Sequence, residues 1–139
     1  MKKLILLFAV LVSGLLVVSS CGKTGAPNCA DEDVKSLVIQ IAEGELKRQL
    51  LIGSGMLMDV PLNKINYDEM NKAKDQNEKY ARAIAYVDER MAKVEMGLSG
   101  IRTEGKDDEI RKCNCSGELS VNGKSGPVEY TAQYTEDGQ

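Results

Sequence analysis

IRKCNCSGELSVNGKSGPVEYTAQYT, residues 110–135, alternates apolar and polar positions on both sides of an Asn-Gly pair. Side chains on a strand point to opposite faces in turn. Cys113, Cys115, Gly117, Leu119 and Val121 therefore share one face, and Lys112, Asn114, Ser116, Glu118 and Ser120 the other. Past the turn, Val128, Tyr130, Ala132 and Tyr134 look one way and Glu129, Thr131, Gln133 and Thr135 the other. Asn122-Gly123 is the strongest short hairpin signal, because both residues tolerate positive φ. Upstream, Val94, Met96 and Leu98 alternate, and Gly100 offers a bulge before Ile101-Arg102-Thr103. The charged stretch Glu104 to Glu109 reads as a loop. Three antiparallel strands in chain order, a meander, are expected.

The pattern before Lys93 is helical. Asp31, Glu32 and Asp33 place negative charge at a helix start, where it opposes the positive end of the helix dipole. Val34, Leu37, Val38, Ile41, Ala42, Leu46 and Leu50 follow as one apolar stripe, ended by Gly53-Ser54-Gly55. Pro61 keeps the apolar connector 56–65 out of a helix. Asn66 and Glu69 then form a capping-box pair, with Ile65 and Met70 as its staple. Met70, Ala73, Asn77, Tyr80, Ile84, Val87, Met91 and Val94 step by three and four, a heptad seam whose one polar member is Asn77. That seam either meets a partner as a coiled coil or packs on the first helix and a sheet. The expected fold class is α+β, with two helices laid across a three-stranded antiparallel meander.

The N-terminus carries an address. Lys2-Lys3 precede fifteen largely apolar residues (4–18, LILLFAVLVSGLLVV), fewer than the ~20 a spanning helix needs. A basic start, an apolar middle and small residues at the cut mark a secretion signal. Val18-Ser19-Ser20-Cys21 resembles the lipobox of bacterial lipoproteins. The resemblance implies cleavage between Ser20 and Cys21, a diacylglycerol group on the Cys21 thiol and an acyl chain on its new amino group. Two chains already anchor stably, so three hold almost irreversibly. Gly22, where no Asp stands, resembles lipoproteins sent on to the outer membrane. The expected organisation is a signal over 1–20, a lipidated tether over 21–28 and one α+β domain over 29–139.

Composition narrows the work this domain can do. The chain after residue 20 has 16 basic and 21 acidic residues, which argues against nucleic acid and against electrostatic adhesion to anionic lipid. No histidine is present, so an ordinary general base near neutral pH and an imidazole metal ligand are both missing. No phosphate loop, nucleophile elbow or metal-binding helix motif appears, and neither an enzymatic role nor a cofactor is expected. The acids at Asp31 to Asp33 and Asp107 to Glu109 suit either a cation or a helix start and a solvated loop. Met56-Leu57-Met58 reads as an adaptable contact surface or as filling between helices. The Tyr130 to Tyr134 strand reads as an edge open to strand addition or as core under the helices.

Three cysteines remain beyond Cys21. Past the inner membrane disulfides are favoured, and a bridge from Cys29 to Cys113 or Cys115 is expected. Cys113 and Cys115 project in parallel from one strand and do not suit a bond to each other. The odd thiol is a small buried hydrophobe, a site of covalent dimerisation or redox exchange, or one ligand of a three-thiolate metal site. The Cys-x-Cys spacing without histidine is a poor match to zinc motifs, so no metal is expected.

The pattern of helix then meander, with the late strand Val128 to Thr135 and Asp137-Gly138 after it, resembles small α+β envelope lipoproteins of cystatin-like or nuclear-transport-factor-like architecture. With the lipobox and the composition, the expectation is a membrane-tethered, non-enzymatic protein facing the periplasm from the outer membrane and acting on an envelope protein by contact, an exclusion or immunity lipoprotein being its sharper form. The other expectation is a small-ligand carrier with a cavity between helices and sheet.

Overall fold

The computed structural model describes residues 25–134. The expected signal over 1–20, with Ser20, and the expected acylation site Cys21 lie outside the described residues. Helix α1 spans Glu32–Gly53, α2 Tyr67–Ala73 and α3 Glu78–Met91, with single 3-10 turns at Leu62–Lys64 and Lys74–Gln76. Strands β1 (Met96–Asp107), β2 (Lys112–Val121) and β3 (Lys124–Gln133) follow. They form one antiparallel sheet in the order β1-β2-β3, so the class is α+β and the sheet a meander.

Three helices stand where two were expected. The break falls at Asn77, whose backbone is extended (φ −142°, ψ 101°) and whose Oδ1 accepts the N–H groups of Lys79 and Tyr80 at 3.0 and 3.2 Å. An asparagine that can cap competes with helix continuation, and here the cap wins. Asn77 is thus the start of α3 and not a polar step in a seam. Asn66 caps α2 as its spacing suggested, accepting the N–H of Glu69 at 3.0 Å.

The strand boundaries also move. β1 runs on to Asp107 through most of the stretch expected as a loop, and the chain reverses after it, where Asp107 Oδ1 accepts the N–H groups of Glu109 and Ile110. β3 begins at Lys124, four residues before the expected Val128, and holds Pro127 opposite Glu118. A proline is tolerated there because β3 is an edge strand. Gly100 does sit in a bulge, with φ +60° and a register shift between Ser99 and Arg102. Asn122 (φ 49°) and Gly123 (φ 78°) make the tight turn, and Asn122 exchanges two hydrogen bonds with Glu95 at the α3–β1 junction.

The interior is divided. Leu51, Leu57, Ile65, Met70, Ala83, Ile84 and Val87 form a helical cluster that includes no strand residue. Cys29, Cys113, Cys115 and Ala132 form a second cluster on the sheet, joined by Val34 of α1 and by Ala26, Ile101 and Tyr130. The expected layer of two helices over the whole meander is therefore replaced by a helical unit and a sheet, with α1 carrying the main contact between them along β1. The physical reason lies in the spacing of the largest side chains. α2 and α3 spend theirs on the far end of α1 and on the connector, leaving none for the strands.

Candidate functional site

The sulfur cluster is assembled from three segments. Asn28 Oδ1 accepts the N–H of Ala30, and Asp31 N–H donates to Asn28 O, so a tight turn delivers Cys29 just ahead of α1. Alternation along β2 aims Cys113 and Cys115 at the same face, opposite Ala132 and Tyr130 of β3. Cys29 is bonded to Cys115, and Cys113 is a free, buried thiol whose Sγ lies 3.1 Å from Cys29 Sγ. All three sulfurs lie within 4.8 Å of one another.

Neighbouring groups hold Cys29 in place. Tyr130 Oη donates to Cys29 O at 3.0 Å, and Thr103 Oγ1 lies 3.4 Å from Cys29 Sγ. Burial raises the Tyr130 hydroxyl above the ordinary tyrosine range, so it stays a donor there. Ala26 N–H donates to Asp108 Oδ1, and that bond, seconded by Lys106, lowers the Asp108 carboxyl. Pro27 is buried. Residues 25–28, read as the end of a tether, are thus fastened to the sheet. Thr103 and Tyr130 were not expected at this site. Thr103 pairs with Cys115 only because the bulge at Gly100 resets the register of β1.

An apolar groove adjoins the cluster and shares Val34, Tyr130 and Ala132 with it. It runs between α1 and the outer edge of β3, holds about 480 Å³ and is open along one side. Leu37 and Ile41, expected in the core, line it while 56% and 64% exposed. The helix stripe exists, but nothing among the described residues covers this half of it. Asp31 and Asp33 stand at one end.

The remaining candidates resolve into structure. Leu57 is buried and Met56 packs beside it, whereas Met58 is 91% exposed, so the Met-Leu-Met run fills the helical core through its first two members. Asp107 and Asp108 accept backbone N–H groups, and among the described residues the acidic groups do not converge as metal ligands. The seam positions Met70, Ile84 and Val87 are buried within the chain's own helical cluster. No described helix is long and apolar enough to cross a membrane. No family model matches the chain, and neither a curated protein nor a solved structure matches it.

Proposed function

We propose that this chain is a bacterial envelope lipoprotein, non-enzymatic, anchored through acylated Cys21 and acting by contact with a protein of the envelope. The observation that carries the contact is the groove beside the free edge of β3, with Leu37 and Ile41 left in water. Unpaired strand edges next to apolar side chains accept an added strand, whose main chain supplies hydrogen bonds and whose side chains fill the groove. Covering Leu37 and Ile41 is worth about 1 kcal/mol or more for each, and 1.4 kcal/mol is roughly tenfold in affinity. The lipobox supports the anchor, and placement at the outer membrane facing the periplasm follows Gly22. A cystatin-like or nuclear-transport-factor-like relationship rests on the long α1 beside an antiparallel meander. Exclusion or immunity is the role that suits a short tethered contact domain.

A photo-crosslinking residue at position 41 in intact cells tests this reading, with Glu89, on the exposed side of α3, as control. A discrete adduct from position 41, absent from position 89 and abolished by Leu37→Asp, is expected. No adduct, or the same adducts from both positions, would overturn the reading. The second reading is a small-ligand carrier, favoured by a groove volume within the ~300–1,000 Å³ of ligand pockets. Its signature is a small molecule retained by the purified chain in native mass spectrometry. The exposure of Leu37 and Ile41 puts it second, since a carrier encloses its cargo.

A further inference from the structure

The spare thiol has a partner that is already bonded. We propose that Cys29, Cys113 and Cys115 form an intramolecular thiol–disulfide exchange site in which the bridge to Cys29 moves between Cys115 and Cys113. The attacking and attacked sulfurs are already in contact. Cys113 Sγ stands 3.1 Å from Cys29 Sγ, about 1 Å beyond a disulfide bond length, while Cys29 is joined to Cys115. Disulfides exchange when a thiolate attacks one of the two sulfurs. Here the Cys113 thiol releases its proton to water, its thiolate attacks Cys29 Sγ, the Cys113–Cys29 bond forms, the Cys29–Cys115 bond breaks, and Cys115 leaves as thiolate and takes a proton back from water. One bond is exchanged for another, so no oxidant, reductant or outside thiol is consumed.

The surroundings permit both states. Cys113 and Cys115 are 1% and 2% exposed on the same face of β2, so the displaced sulfur stays within the same apolar cluster. Thr103 Oγ1 reaches Cys29 Sγ, the sulfur common to both bridges. A cleft of about 240 Å³, lined by Ala26, Pro27, Asn28, Thr103 and Lys106, ends at Cys113 and gives a thiol reagent a way in. The two bridges are not equivalent for the fold. Cys115 sits opposite Tyr130, whose hydroxyl holds Cys29 O, and Cys113 opposite Ala132, two residues or ~7 Å further along the sheet. The turn that carries Cys29 also supplies Pro27 and Asp31 to the wall of the groove, so the bridge and the groove share one segment. The exchange itself stands on the sulfur positions and does not depend on the role given to that groove.

The test is disulfide mapping of the full chain, purified without reductant. Free thiols are blocked with N-ethylmaleimide in acid denaturant, which stops exchange, and tandem fragmentation at Asn114 separates Cys113 from Cys115. Expected are two populations, one blocked at Cys113 and one at Cys115, with Cys29 always bridged. When the two unblocked forms are instead separated in acid, shifted to neutral pH and blocked only afterwards, each returns to the same ratio, about tenfold faster per pH unit while the attacking thiol remains largely un-ionised. In Cys115→Ser, a Cys29–Cys113 bridge should form with neither thiol left to block. Block at Cys113 alone after prolonged incubation would overturn the proposal. A folded Cys115→Ser chain with Cys29 and Cys113 both blocked would also overturn it, as would an unbridged chain that retains stoichiometric zinc on its three thiols.

Discussion

Asn77 shows how much one side chain can redirect. In the sequence it occupies a step of a seam running from Met70 to Val94, and in the structure its amide holds two N–H groups at the start of α3. The two roles make opposite predictions for Asn77→Leu. An apolar residue in a seam would stabilise, whereas loss of the cap should cost about 1 kcal/mol. A lowered urea midpoint with an unchanged slope is the expected result. The cysteines show the complementary limit of legibility. Alternation put Cys113 and Cys115 on one face, but two thiols that project in parallel are equivalent to a pattern, and only the seating of Cys29 against Tyr130 distinguishes them. Thr103 was illegible because a bulge three residues upstream, at Gly100, set its partner.

At the scale of elements, the hairpin of β2 and β3 was readable because its signals are local: strict alternation and a turn pair with positive φ. The fate of the α1 stripe was not. Periodicity reveals that Leu37 and Ile41 share a face, while covering that face depends on an element elsewhere. The helical unit is pinned at Tyr67, whose hydroxyl donates to Asp88 of α3 and whose ring lies under Lys47 of α1 at 4.8 Å. Burial first, then the Asp88 bond, pushes the Tyr67 hydroxyl up to about 12. An unfolded tyrosine ionises near ~10, so between these values the unfolded chain holds fewer protons than the folded one. Stability from Tyr67 is thus complete below about pH 10 and is lost as pH rises toward 12. Denaturant titrations across that window should show a steeper fall for the parent chain than for Tyr67→Phe.

Taken whole, the molecule is two apolar clusters spanned by one helix, and the Cys29–Cys115 bridge fastens the start of that helix to the central strand. Its ends are 86 residues apart, and in the chain-entropy account closing so long a loop is worth about 4.5 kcal/mol. Cys29→Ala removes either bridge and should lower stability by about that amount, and the parent chain in reductant should fall to the same midpoint. Such a staple suits a small domain whose core is split, because neither cluster is large. It also holds residues 25–29 against the sheet, so that the groove beside them has a fixed wall, the surface that the proposed membrane-anchored contact would use. That picture depends on the lipid more than on any other feature, and the mass of the mature N-terminus tests it directly. Intact and peptide mass spectrometry of the chain extracted from bacterial membranes should find Cys21 as the first residue, carrying a diacylglyceryl group on sulfur and an acyl chain on nitrogen. A chain that begins elsewhere, or that begins at Cys21 with an unmodified thiol, would contradict it.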